Sequence, residues 1–283
     1  MIARVDQSPF GTHAPGRLDR AVLAMTRSLP ANWLGLRLAI LLRRIVTMRP
    51  RDAFDIELWG LRLRLHPLGN GCEKNALFTP QMYDVTERHV LAQAIERRLA
   101  AGASFTFVDV GANVGLYSLF VAARARSRAR ILAIEPQPGI LERLRFNLAA
   151  NPDVKVEVLP LAVSDHEGTV TLRIDADDSG GTRIDRDAVA GRVETVSVPC
   201  RPLLAILNDA GVTAIDALKI DVEGAEDLAL VPFLRDAPSG LLPGVVLIED
   251  TSGQWRTDVF ALLAQHGYTV FTRSRQNVAL RRG

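Results

Sequence analysis

The sequence predicts an α/β fold. It reads as a mainly parallel sheet with helices between its strands and an antiparallel pair at one edge, preceded by N-terminal helices and a β-hairpin. Three observations carry this. Strand-like apolar runs at 105–110, 130–135, 155–160, 216–221, 244–249 and 267–272 are separated for the most part by helical stretches at 115–125, 138–150, 201–210, 223–234 and 255–265. Strands divided by helices pair in parallel through right-handed crossovers. The stretch FVDVGANVGLYS, from Phe107 to Ser118, passes from strand to glycine loop to helix. The last two runs, GYTVFTR and QNVALRR, are close enough to pair antiparallel at an edge.

With 283 residues, 48% of them hydrophobic, the chain supports one large domain and a smaller attachment. The expected division is an extension over 1–78 and a main domain over 79–283. A charged fraction of 23% argues against global disorder. A net charge of +2 supplies no clustered basic face for nucleic acid. Cys72 and Cys200 show neither CxxC nor metal-ligand spacing and read as structural thiols. No signal-peptide pattern opens the chain, and the expected location is the cytoplasm.

Residues 1–16 contain Pro9, Gly11, Pro15 and Gly16 and are expected to be loose. Helical patterns follow at 18–29 and 33–47, the second ended by Pro50. Its apolar run, Trp33–Val46, holds Arg37, Arg43 and Arg44 and is too short and too charged to span a bilayer, which needs about 20 apolar residues. Residues 1–51 carry nine Arg against Asp6 and Asp19. Two readings stay open: an amphipathic helix packed on the main domain, or a basic helix lying on an anionic membrane or a larger synthase. Phe54–Pro67 alternates apolar and polar around Trp59-Gly60 and reads as a β-hairpin. Val85–Leu99 reads as a helix stopped by Gly102. Between the third and fourth sheet strands an insertion carries strands near 169–174 and 193–199 around a polar loop.

The glycine loop lies where open parallel sheets bind ligands, beyond the carboxyl end of a strand. A dinucleotide site wants G-x-G-x-x-G, but counted from Gly111 the other two positions are Asn113 and Leu116. A phosphate loop wants a Lys that is absent here. Glu135 ends the next strand, twenty residues after Gly115, where a carboxylate can accept both hydroxyls of a ribose. Asp109, just before the loop, can meet an ammonium group directly or through water. Glycine turn, ribose acid and an amino-acid partner together suit S-adenosylmethionine. The rival readings are a nicotinamide-dependent oxidoreductase, which the missing glycines disfavour, and a non-catalytic binding protein that kept the fold.

FVDVGANVGLYS, AIEPQPGILERLRFN, LPLAVSDHEGTVTL and LKIDVEGAE resemble the FkbM-type methyltransferases, a branch of the class I S-adenosylmethionine-dependent enzymes. The resemblance covers roughly residues 78–250, and IDVEGAE is its most specific piece. It implies a Rossmann-like, seven-stranded sheet whose last strand is antiparallel. It also implies methyl transfer, mostly to hydroxyl oxygens of sugars, glycans, polyketides or similar small-molecule acceptors. Asp109, Gly111, Ala112, Asn113, Gly115 and Glu135 are the expected cofactor contacts. Leu161 stands where the family often has Asn, so adenine contacts are assigned to Ala162 and Asp165.

Asp221 ends the strand ALKID, Glu223 and Glu226 open the following helix, and VVLIED ends in Glu249 and Asp250. Were the two strands neighbours, all five acids would gather at the glycine loop. The resemblance favours Asp221 and Glu223 as catalytic groups. One carboxylate could take the acceptor's proton; alternatively Asp221, Glu223 and Glu249 could hold Mg²⁺ through hard oxygen ligands. His66, His89, His166 and His266 are isolated and support no transition metal. Family position assigns the acceptor walls to Leu77–Glu87 and Asp177–Arg186, with Tyr83, Asp84, Arg183 and Glu249 as candidate contacts, or else to a lid over the cofactor.

Overall fold

The computed structural model describes residues 6–49, 51–174, 182–184 and 194–283. Two helices open the chain, α1 (Arg17–Ser28) and α2 (Trp33–Thr47). Asn32 caps α2, its side chain accepting from the Gly35 N–H. Strands β1 (Phe54–Leu58) and β2 (Leu61–Leu65) form the expected antiparallel hairpin. Trp59 and Gly60 take φ of 55° and 77°, as a two-residue type I′ turn requires. Helix α3 (Gly71–Phe78) was not foreseen, because its apolar pattern is short. Its start was nonetheless written in the sequence: the Asn70 side chain accepts from the Glu73 N–H. Helix α4 (Val85–Ala100) then leads into the sheet.

The central strands are β3 (Phe105–Val110), β4 (Ala129–Ile134) and β5 (Glu157–Leu159), with helices α5 (Leu116–Ala125) and α6 (Pro138–Ala149) between them. An insertion carries β6 (Ala162–Val163), β7 (Gly168–Ile174), β8 (Arg183–Ile184) and β9 (Glu194–Arg201), a small sheet of order β6-β9-β7-β8. The chain returns through α7 (Leu203–Asp209) to β10 (Ala217–Ile220), α8 (Glu226–Asp236), β11 (Val245–Glu249), α9 (Val259–Gln265), β12 (Tyr268–Arg273) and β13 (Asn277–Arg282). The seven-stranded sheet runs β12-β13-β11-β10-β3-β4-β5, with β13 antiparallel to both neighbours. Strands β3, β4, β10 and β11 are almost wholly buried and apolar on both faces, as strands covered by helices must be.

The order turns back at β3: β4 and β5 lie on one side, β10 and β11 on the other. Two chain ends therefore diverge beyond Val110 and leave a crevice there.

Residues 6–13 are held, contrary to the expectation of looseness, while residues 1–5 lie outside those described. The side chains of Arg64 and Asp55 are each 1% exposed and pair in a fork, Nε to Oδ1 at 2.7 Å and Nη2 to Oδ2 at 2.9 Å. Arg64 also donates to the carbonyls of Asp6, Ser8 and Pro9, and Asp55 accepts from the N–H groups of Gly11 and His13. The hairpin is fastened to α6 by Asn147 and to the turn after it by Asn151, whose amide oxygens accept from the Arg64 and Arg62 N–H groups respectively. Removing one partner of a buried pair strands the other charge. Asp55→Ala is expected to lower unfolding free energy by about 3–5 kcal/mol in urea titration; a loss under about 1 kcal/mol would give the pair no more weight than an exposed salt bridge.

Candidate active site

The glycine loop closes over the ends of β3 and β4. The Gly111 and Ala112 N–H groups both donate to the Ile134 carbonyl. Gly111, Asn113 and Gly115 have φ of 75°, 51° and 86°. A Cβ on Gly111 would stand 1.8 Å from the Asp221 carbonyl oxygen, so this position admits glycine alone. Asn113 tolerates the left-handed region because its Oδ1 accepts locally from the Val114 N–H, and also from the Asn70 side chain. Helix α3, absent from the sequence reading, thus braces the loop.

Glu135 follows β4 and is 7% exposed. Its Oε2 accepts from the Asn113 N–H at 2.8 Å and its Oε1 from the Gln137 N–H at 2.9 Å. Burial pushes its carboxyl up to about 7, against those two N–H donors. The loop and this acid face a cleft whose empty volume, including the part open to solvent, is about 700 Å³. Gly111, Asn113, Glu135, Ala162, Asp221 and Glu223 all line it. So do Cys72, Ile140, Leu161 and Leu172, which sequence reading did not assign to a wall. The apolar members suit a flat adenine.

Asp109 stands behind the loop, fully buried. Its Oδ2 accepts from the Ser118 N–H and hydroxyl, while Oδ1 is buried with no hydrogen-bond partner among the described residues. Burial raises its pKa. Lys219, opposite Asp109 in the β3–β10 register, is the residue the sequence reading passed over. Its ammonium lies 3.0 Å from Asp221 Oδ2, 3.4 Å from the Gly111 carbonyl and 5.1 Å from the Tyr117 ring centre. Burial works against its charge, but Asp221 and Asp109 outweigh burial and hold it protonated. The signal was available: a Lys inside the apolar strand ALKID has to find a carboxylate.

β10 and β11 are parallel neighbours, so their acids do converge. Oxygens of Asp221, Glu223 and Glu249 lie within 4.8 Å of one another, a spacing that could also hold a cation. Burial, then the charges of Asp221, Glu223 and Glu226, lift the Glu249 carboxyl well above the usual range. The gathering of five is incomplete. Asp250 turns away to Arg273 at 3.0 Å. Glu226 is buried and acts as a brace: it accepts from the Val222 and Gly224 N–H groups and from Thr251 and Trp255. The helix expected from 223 begins at Glu226, since Glu223 and Gly224 take φ of 54° and 97°. That left-handed turn sets Glu223 on the cleft wall.

Four candidates lie elsewhere than expected. Asp165 does not line the cleft; it is exposed and bonded to His166 at 2.8 Å beside a separate depression. Arg183 sits between Thr182 and Ile184, which face the cleft, and a strand's alternation turns it to the other side. Tyr83 and Asp84 are not on the cleft wall: Tyr83 packs edge-on to Tyr117 in the core, and Asp84 accepts from the Tyr117 hydroxyl at 2.9 Å. Of the segment Asp177–Arg186, residues 177–181 and 185–186 lie outside those described.

The residues fit S-adenosylmethionine. Glu135 can take the ribose hydroxyls and the loop admits close backbone approach, whereas Asp109, expected as a cofactor contact, is wholly buried behind the loop and not on the cleft wall. This strand order, with a glycine turn at the switch point and an acid one strand away, defines a class I S-adenosylmethionine-dependent methyltransferase. The comparisons agree. A family model described as the methyltransferase FkbM domain matches residues 109–270. Methyltransferase sdnD of Sordaria araneosa is 31% identical over 196 residues, 59% of this chain and 74% of that protein. The 31-O-demethyl-FK506 methyltransferase FkbM of Streptomyces tacrolimicus is 30% identical over 190 residues, 57% of this chain and 72% of that one. AMB antimetabolite synthetase AmbE of Pseudomonas aeruginosa is 31% identical over 204 residues, but the match spans 59% of this chain and a mere 10% of AmbE. The chain belongs to the FkbM methyltransferase family.

Glu135→Ala should weaken S-adenosylmethionine binding about 10- to 100-fold in calorimetry, the worth of hydrogen bonds to a charged group. Because burial lifts the free carboxyl to about 7 and the ribose favours its charged form, affinity should rise as pH climbs from 4.5 towards 7 and then level off. A flat profile in the wild type would remove Glu135 from the ribose site.

Proposed function

We propose that this methyltransferase methylates a hydroxyl oxygen of a sugar-containing, polyketide or similar small molecule. The observation that carries the reading is the carboxylate trio whose Asp221 and Glu223 line the cleft, with Glu249 biased towards its protonated form beside them. Bound S-adenosylmethionine supplies an electrophilic methyl group. The chain's own contribution is to orient the acceptor hydroxyl and to receive its proton. Asp221, steered by Lys219, and Glu223, aimed inward by its left-handed backbone, are the groups placed to receive it. Such general-base help gives about 10²–10⁴-fold, and holding the reactants aligned contributes up to about 7–11 kcal/mol. Thr182, Ile184 and Leu172 of the inserted sheet form part of the wall and are proposed to shape acceptor choice. One relative is named for an O-demethyl substrate, which supports oxygen as the target.

A panel of hydroxylated acceptors, assayed for adenosylhomocysteine formation, identifies a substrate. On it, Asp221→Asn and Glu223→Gln should lower kcat by about 10²–10⁴-fold while cofactor affinity in calorimetry changes much less. Unchanged turnover in both variants would overturn the base assignment. Full activity after chelation supports the proton-accepting role, whereas activity restored solely by Mg²⁺ would move the trio to metal binding.

A further inference from the structure

Helix α2 is apolar on two faces. Gly35, Ala39 and Val46 are buried against the protein. Leu34, Leu38, Leu41, Ile45 and Met48 are separated by four, three, four and three residues, which aligns them in one stripe about 21 Å long. All five are exposed, from 42% for Leu38 to 83% for Met48. Trp33, 70% exposed, sits at one end with the Arg37 guanidinium 5.5 Å from its ring centre. Arg37 and Arg44, seven residues apart, run along one edge of the stripe. Neither they nor Arg17 and Arg20 on α1 have an ion-pair partner among the described residues.

We infer that this stripe is a docking surface for an anionic lipid membrane. An apolar face edged by Arg and anchored by Trp matches a helix lying in the headgroup region, its apolar side in the acyl boundary. Charge decides the occupant. A second copy facing the same stripe would bring Arg rows together without acids to meet them. Residues 1–51 hold nine Arg against Asp6 and Asp19. Asp19 is already taken by Arg49 and Arg51, and Asp6 by His13. Anionic headgroups supply the missing countercharge. No helix of the described residues is long and apolar enough to cross a membrane, so α2 lies along the surface. The same extension touches the site: Arg27 of α1 donates to the Leu77 carbonyl of α3, the helix whose Cys72 lines the cleft.

The test is flotation of the full chain with vesicles of phosphatidylcholine alone or mixed equally with phosphatidylglycerol. Binding is expected to the mixed vesicles, to fall in high salt, and to be weak with phosphatidylcholine alone. Arg37→Glu with Arg44→Glu, and separately Leu38→Asp with Leu41→Asp, should each weaken it at least about tenfold. Both pairs lie on the surface, and unchanged melting with unchanged S-adenosylmethionine binding certifies their fold. Equal binding to both vesicle types, no binding to either, or variants that float like the wild type would overturn the inference. So would a dimer in light scattering that the Leu38/Leu41 variant abolishes, which would assign the stripe to a second copy.

Discussion

The site depends on one close approach: the Gly111 backbone against the carbonyl of Asp221, where even a methyl group would stand 1.8 Å from oxygen. That contact brings the end of β3 onto the end of β10 and puts the cofactor loop, Asp221 and Glu223 on one cleft. The Asp221 N–H donates to the Val110 carbonyl and Lys219 reaches the Gly111 carbonyl, so the approach is fixed from both strands. Glycine is needed there for two independent reasons, the missing Cβ and a φ of 75°.

Electrostatics organises what that contact assembles. Lys219 is a buried cation whose field reaches Asp84, Asp109, Glu135 and Asp221. It offsets part of the burial that would otherwise neutralise Asp84, Asp109 and Glu135. Glu249 lies among carboxylates and takes the opposite course, held towards its protonated form. One of its oxygens lies within 4.8 Å of an oxygen of Asp221 and of one from Glu223. Glu226, buried beneath them, spends its charge on four donors and keeps the two loops in register.

Legibility followed the range of the interactions. Strands read from apolar runs match to within two residues at most ends, and the turn-forming Trp59-Gly60 pair marks its hairpin. Local chemistry was also readable where missed: Asn70 three residues before Glu73 announces α3. Glu223 was harder, since its sequence context looks like the first turn of a helix and its left-handed backbone follows from bracing by Glu226 and packing of Gly224 against Gln254. Asp165 and Asp250 could not be placed from sequence, because one residue's step along a chain leaving a strand decides which side it faces.

The sequence by itself determined the alternation of strands and helices, the glycine loop with its acid one strand on, and the family motif, since each is a pattern of neighbours in the chain. Tertiary structure alone decided that β10 and β11 lie side by side, that Lys219 pairs with Asp221 while its field reaches acids of three other segments, and that residues 6–13 are held by Arg64 and Asp55. Those outcomes rest on which charges share a low-dielectric interior, and distance in space, unlike spacing in sequence, sets that energy.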